Sequence, residues 1–144
     1  MEWQLIESDE ALAEALSQAA GCRVVAVDTE FMRRNTFFPQ VALVQLCFGD
    51  KALLVDPLAL DDTAPLAALL VDPGVTKVLH SASEDLEVFS RWLDVLPEPL
   101  FDTQRAEALL AEPDGVQSLR EASLELRNAV ALTPTDPVAN MLLG

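Results

Sequence analysis

A run of apolar residues that leads into two acids constrains the fold of this chain more than any other feature. Residues 23–27 read RVVAV and are followed directly by Asp28, Thr29 and Glu30. A continuous apolar run of this length, bounded by Gly21 and by charges, is typical of a strand buried inside a sheet. The sequence therefore predicts a buried strand over 23–27 with a pair of carboxylates at its end.

The remaining patterns place other strands and helices around this one. The predicted strands are 3–6 (a weak edge strand), 41–48, 52–55 and 77–79. The predicted helices are 9–20, a short one from 61 or 62 to 70, one over 81–93 and one over 101–111. Ser81 and Glu84 have the spacing of a capping box at the start of the third helix. Three strands in succession, with helical crossovers elsewhere, predict an α/β fold with a mixed sheet and flanking helices.

The size of the chain fits a single globular domain. It has 144 residues, of which 51% are hydrophobic. No apolar run approaches the roughly 18–20 residues that span a bilayer, and the first residues lack the pattern of a signal peptide. These features predict a soluble cytoplasmic protein that does not bind membranes.

Two cysteines and one histidine limit the metal chemistry that the chain can support. Cys22 and Cys47 lie apart, in or beside apolar runs, where inert core thiols are common. With His80 as the only histidine, a zinc site built from histidine and cysteine is excluded.

The net charge of −15, from 24 acids against 9 bases, opposes binding to nucleic acid. Solubility alone accounts for such a charge in many acidic proteins. Bound divalent cations would offset part of the repulsion at the place where a substrate lies. Charge by itself therefore disfavours a nucleic-acid role, and the motifs must decide.

Three acids are candidates for catalysis. Asp28 and Glu30 are two residues apart on a strand, so their side chains leave the same face of the sheet. Neighbouring carboxylates repel unless a cation lies between them, and Mg²⁺ prefers such oxygen ligands. A solvated strand end is the alternative. Asp85 lies in the first turn of a predicted helix, where stabilisation by the helix dipole is the alternative to a site.

Four blocks of sequence, in order, resemble bacterial ribonuclease D. They are VAVDTEFMRRNTFFPQVALVQLC, LLVDPL, KVLHSASEDLEVF and LPEPLFDTQRAEALL, and the resemblance covers about residues 1–110. That family belongs to the DEDD exonuclease superfamily, whose catalytic domains have a ribonuclease H-like fold. The resemblance implies this fold and a 3′→5′ exoribonuclease that acts on transfer-RNA precursors and other RNA 3′ ends. Residues 37–40 (FFPQ) match a characteristic turn of the family and are expected to shape the core.

The resemblance also implies two divalent ions, Mg²⁺ or Mn²⁺. Carried over, Asp28 bridges both ions, Glu30 binds the ion that activates water, and Asp85 completes the site of the second ion. In two-metal hydrolysis one ion lowers the pKa of the attacking water and the other stabilises the leaving 3′ oxygen. Glu84 and Glu87 do not occupy the matching position and are assigned to capping and to solvent.

Residues beside these acids are implied to bind the RNA 3′ end. Thr29, Phe31, Met32 and Arg33 lie within or directly after the D-x-E motif, and His80 ends a predicted strand. An apolar side chain can stack on a base, and arginine can bind phosphate. The alternatives are a surface loop with one buried aromatic and a histidine that only ends a strand.

The resemblance stops before the fourth carboxylate of the family. In the ribonuclease D branch that acid follows, by four residues, a tyrosine that orients the attacking water. This chain has no tyrosine, and its later aspartates, Asp114 and Asp136, each adjoin a proline. We expect an exonuclease domain over 1–112 that is incomplete at its C-terminus and has low or no activity.

Residues 113–144 are expected to form a helical tail. The segment LRNAVALTPTDPVANMLLG resembles the junction of a tetratricopeptide repeat, with Asp136 and Pro137 as helix cap and first turn. Such repeats need stacked neighbours, so an amphipathic hairpin that packs on the nuclease sheet is the alternative.

Three functions stay open at this point. The first is a metal-dependent 3′→5′ exoribonuclease of the ribonuclease D type. The second is a catalytically inactive remnant that binds RNA ends, and the third is a protein-interaction module that uses the repeat-like tail. The net charge favours the last two, whereas the four sequence blocks favour the first.

Overall fold

The computed structural model describes residues 1–34 and 37–111. Its elements are β1 Glu2–Ile6, α1 Asp9–Gln18, β2 Val24–Met32, β3 Gln40–Phe48, β4 Lys51–Val55, α2 Ala64–Val71, β5 Thr76–Leu79, α3 Ser83–Leu93, β6 Leu100–Asp102 and α4 Thr103–Ala111. A short 3₁₀ turn, Pro57–Ala59, follows β4. The predicted tail over 113–144, with its tetratricopeptide resemblance, lies outside the described residues.

The described strands form one mixed sheet in the order β1-β4-β3-β2-β5-β6. The successive strands β2, β3 and β4 pair antiparallel, as expected for strands joined by short connections. β1 pairs in parallel with β4, β5 with β2, and β6 with β5. Helices α2 and α3 supply the crossovers before β5 and β6. The predicted mixed sheet with flanking helices is confirmed.

Strand β2 crosses the centre of this sheet and has one buried face. Val25, Val27 and Thr29 are buried, whereas Asp28 and Glu30 alternate with them and are exposed. The prediction of a strand buried throughout is therefore wrong, and the prediction that it ends before the acids is wrong too. The strand continues to Met32 because it pairs with β3 along its whole second half.

Two further predictions for local structure are wrong. Phe101 and Asp102, predicted to open the last helix, instead belong to strand β6, because this segment pairs in parallel with β5, and helix α4 begins at Thr103. The predicted capping box does not form: α3 begins at Ser83, its N-cap Ala82 has no side-chain cap, and Ser81 has a φ of 59°.

The turn after β2 does not shape the core as predicted. The side chain of Phe37 is 86% exposed and that of Phe38 is 41% exposed, although Pro39 is buried. The two rings meet edge to face at 5.1 Å, and the guanidinium of Arg91 on α3 lies 3.7 Å from the centre of the Phe38 ring. Phe38 is thus held against the surface of α3.

The sheet lies within one compact unit, Met1–Asp102, and a second unit begins at Thr103. Helix α4 belongs to the second unit, and the domain boundary at 112 stays a prediction. Over the described ranges, the chain contains no helix with the length and apolar character needed to cross a membrane.

Candidate active site

The candidate site lies at one edge of the sheet, where three parallel strands end. Strands β2, β5 and β6 run in the same direction, with Ala26 beside Val78 and Leu79 beside Asp102. Their carboxyl ends therefore share an edge, and ligands of α/β sheets commonly bind outside this edge. Asp28 and Glu30 lie in the second half of β2, directly beyond its pairing with β5.

Asp28 and Glu30 are both exposed and project from the same face of β2. The Oδ2 atom of Asp28 accepts a hydrogen bond of 2.9 Å from Nε2 of Gln45, its cross-strand partner on β3. This neutral donor orients the carboxylate but leaves its charge in place. A register shift follows directly after Glu30, and such bulges re-aim the neighbouring side chains.

Asp85 reaches the same segment of β2 from helix α3. Its Oδ1 atom accepts hydrogen bonds from the hydroxyl of Thr29 at 2.6 Å and from the backbone N–H of Thr29 at 3.1 Å. Both residues are buried, each with 7% exposure. The first turn of α3 is thereby tied to the residue that separates Asp28 from Glu30.

Burial is the main cause that raises the pKa of the Asp85 carboxyl. The hydroxyl of Thr29 opposes this by stabilising the ionised form, and the nearby charge of Asp28 raises the pKa further. The charge of Asp28 thus disfavours the ionised form of Asp85. A cation between them would relieve this repulsion.

The acids fit a hard divalent cation by chemistry but do not form a closed cluster. Within residues 1–34 and 37–111, no three histidine, cysteine, aspartate or glutamate side chains are placed together to hold a metal. Asp85 meets β2 through Thr29, whose side chain lies on the buried face, whereas Asp28 and Glu30 leave the opposite face. Carboxylate oxygens are nevertheless the ligands that Mg²⁺ prefers, and their assignment as ligands stays a prediction.

The other predicted site residues border this edge. Phe31 is half-buried, Met32 is 55% exposed, and His80 is exposed directly after β5. Arg33 lies 5.6 Å from the centre of the Phe31 ring and forms an ion pair with Glu87 on α3. Glu87, which was assigned to capping or solvent, therefore forms an ion pair with Arg33. Contact of Thr29, Phe31, Met32, Arg33 and His80 with RNA stays a prediction.

Sequence reasoning missed Asp102 and Gln45 as residues of this edge. Asp102, at the end of β6, accepts hydrogen bonds from the backbone N–H groups of Ser81 and Ala82 at 3.1 and 3.0 Å. Both residues lie inside blocks that resemble ribonuclease D, but their partners are 17 to 21 positions away, across strand pairs that no local pattern reveals. The register of the sheet was needed to find them.

Comparison with known proteins identifies a family and a fold for this chain. Residues 3–132 match the model of a 3′–5′ exonuclease family. Ribonuclease D of Musicola paradisiaca is 48% identical over 113 residues, which are 78% of this chain and 30% of that protein. The chain thus spans about a third of the length of such relatives.

Two solved structures share the fold. The crystal structure of Escherichia coli RNase D, an exoribonuclease involved in structured RNA processing, matches 78% of this chain with a TM-score of 0.75 and 45% identity, over 30% of its own chain. Trypanosoma brucei RNase D in complex with RNA U12 matches 75% of this chain, over 39% of its own, with a TM-score of 0.68 and 26% identity. The predicted ribonuclease H-like fold is confirmed. These comparisons do not support the tetratricopeptide resemblance.

Proposed function

This chain belongs to the 3′–5′ exonuclease family whose model matches residues 3–132, and from that membership we propose a metal-dependent 3′→5′ exoribonuclease of the ribonuclease D type. The observation that carries the proposal is the bond between Asp85 and Thr29, which brings an acid of α3 to the D-x-E segment of β2. Acids from two distant parts of the sequence thereby approach one edge of the sheet.

RNA 3′ ends are the substrate that we assign. RNase D of Trypanosoma brucei has been solved with RNA, and that of Escherichia coli takes part in structured RNA processing. From the resemblance to ribonuclease D, we propose transfer-RNA precursors in the cytoplasm as the specific substrates. Arg33 would meet phosphate there, and Met32 and Phe31 would contact the terminal bases.

Asp28, Glu30 and Asp85 are the residues that would hold two Mg²⁺ or Mn²⁺ ions. Bound ions would supply an activated water and stabilise the leaving 3′ oxygen. The chain's own contribution is to orient these acids. Gln45 fixes the Asp28 carboxylate from β3, and Thr29 fixes Asp85 from the centre of the D-x-E motif.

We expect the activity of this chain to be low. Its 144 residues contain no tyrosine, so the Y-x-x-x-D element that the family uses to orient water and to complete the ligand set is missing from the sequence. Loss even of groups that support metal ligands commonly costs about 10–100-fold in affinity or activity.

The test is digestion of an RNA that is labelled at its 5′ end and extended at its 3′ end, with Mn²⁺ present. We expect slow, progressive shortening from the 3′ end that chelator stops and that Asp28→Ala abolishes. Asp50→Ala is the matched control, since Asp50 is an exposed acid in the β3–β4 turn, and it should shorten RNA as the parent does. Shortening that survives Asp28→Ala, or internal cleavage, would contradict the proposal.

A chain that binds RNA ends without cleaving them is the second candidate. It is favoured by the lack of a closed three-ligand cluster among the described residues and by the missing tyrosine. RNA binding that is insensitive to chelator, with no shortening at any Mn²⁺ concentration, would support this candidate against the first.

A further inference from the structure

Helix α3 carries the buried acid of the candidate site, yet its own sequence does not cap it. The N-cap residue is Ala82, whose methyl group offers no hydrogen-bond acceptor. The first backbone N–H groups of a helix have no partner within the helix, and a side-chain oxygen usually satisfies one of them. An acceptor from outside the helix is therefore needed to satisfy a backbone N–H group at this end.

The carboxylate of Asp102 supplies this cap from another strand. Its Oδ1 atom accepts from the N–H of Ser81 and its Oδ2 atom accepts from the N–H of Ala82, at 3.1 and 3.0 Å. Asp102 can reach them because it pairs with Leu79 in the parallel register of β5 and β6. A negative charge at this end of a helix is also favoured by the helix dipole.

The same bonds hold an unfavourable backbone conformation. Ser81 has a φ of 59°, in the left-handed region that residues other than glycine seldom adopt. Such a residue persists only where its surroundings hold it. Because Asp102 bonds both Ser81 and the next residue, it fixes the direction in which the chain leaves β5 and enters α3.

From these contacts we propose that Asp102 is a positioning residue for the site, acting through Asp85. Asp85 lies three residues after Ala82, in the first turn of α3, and its bonds to Thr29 require that turn to stay in place. Asp102 therefore fixes the backbone N–H groups of Ser81 and Ala82, these fix the first turn of α3, and that turn places Asp85 against Thr29. As a statement about the metal site, the inference rests on the proposed function.

The experiment compares Asp102→Ala and Asp102→Asn with the parent chain by two measurements. The first is the NMR shift of the Thr29 amide proton without metal, with Asp85→Ala marking the value for the broken bond. The second is the affinity for Mn²⁺. We expect Asp102→Ala to move the Thr29 amide toward the Asp85→Ala value and to weaken Mn²⁺ binding by about tenfold or more. Asp102→Asn keeps one oxygen acceptor and should give smaller changes in the same direction.

Asp9 provides a matched control. Its Oδ1 atom accepts from the backbone N–H groups of Asp61 and Asp62 at 3.1 and 3.0 Å, so Asp9→Ala also removes two carboxylate–amide bonds, but far along the chain from the site. We expect Asp9→Ala to lower the free energy of unfolding and to leave the Thr29 amide and the Mn²⁺ affinity unchanged. If a general loss of stability caused the changes in Asp102→Ala, then Asp9→Ala would change the Thr29 amide shift and the Mn²⁺ affinity in the same way.

A Thr29 amide that stays at the parent value in folded Asp102→Ala would overturn the inference. If that variant does not fold, the decision rests on Asp102→Asn, and an unchanged Thr29 amide there has the same meaning. If the parent chain itself binds no Mn²⁺, the proposed metal site fails, while the Thr29 amide still decides whether Asp102 positions Asp85.

Discussion

Thr29 shows how a residue between two candidate ligands can itself be structural. Asp28 and Glu30 are recognisable from sequence because acids two positions apart on a strand share a face. The partner of Thr29 is not recognisable, because Asp85 lies 56 positions away and is brought close only by the crossover through α3. The sequence thus predicted three acids as candidate ligands, but not that Thr29 forms hydrogen bonds with one of them.

Thr29→Val tests the hydrogen bond between Thr29 and Asp85, since valine keeps the shape of threonine but lacks the hydroxyl that donates to Asp85. Hydrogen bonds to charged groups contribute about 1.5–3 kcal/mol, so we expect the free energy of unfolding to fall by about that amount. The free energy of unfolding is measured in urea with chelator present, for Thr29→Val and for the parent chain as reference.

Thr29→Ser is the matched variant, because it keeps the hydroxyl and loses only a methyl group. Burial of one such group contributes about 0.8 kcal/mol, so its loss of stability should be the smaller of the two. A Thr29→Val chain as stable as Thr29→Ser would show that the 2.6 Å bond to Asp85 does not contribute.

At the scale of elements, local patterns predicted the helices and every described strand except β6, but not where these elements end. The apolar run over 23–27 did indicate a strand, yet the pairing with β3 carries β2 through the acids to Met32. The short segment Leu100–Asp102 carries no strand pattern of its own and becomes β6 only beside β5. In both places a partner strand, absent from any local window, decided the structure.

Lys77 joins two of these elements and gives a prediction on pH. It is fully buried on β5, and its ammonium donates to the backbone carbonyls of Asp72, Val75 and Glu98 at 2.8, 2.6 and 2.6 Å. Burial lowers the pKa of Lys77, and the charges of Asp72 and Glu98 only partly oppose this. Between the lowered pKa and the ordinary lysine pKa, the unfolded chain binds more protons than the folded chain, so stability rises with pH in that window.

We therefore expect the contribution of Lys77 to stability to increase as pH rises through its lowered pKa toward the ordinary lysine value. Lys77→Met removes this titration and also removes the donor to the buried carbonyl of Val75, which costs about 1–3 kcal/mol if that group stays unsatisfied. Unfolding of both chains across the alkaline range gives the comparison. The difference in stability between parent and variant should widen with pH. A difference that is constant or narrows would contradict the lowered pKa.

At the scale of the whole molecule, the net charge of −15 and the proposed RNA substrate oppose each other. The sheet directs Asp28 and Glu30 to one edge, where their own charges add to the repulsion. Divalent cations at that edge would reverse the local charge and make the approach of a phosphate favourable. Composition alone disfavoured nucleic acid, and it could not show that the candidate acids lie near the carboxyl ends of parallel strands.

The proposed activity depends above all on a divalent cation that binds beside Asp28 and Glu30. Anomalous diffraction from crystals soaked in Mn²⁺ locates such an ion directly. We predict a manganese peak within coordination distance of both carboxylates, and its loss in crystals of Glu30→Gln. Manganese peaks only at other acids, or an unchanged peak in Glu30→Gln, would contradict the account.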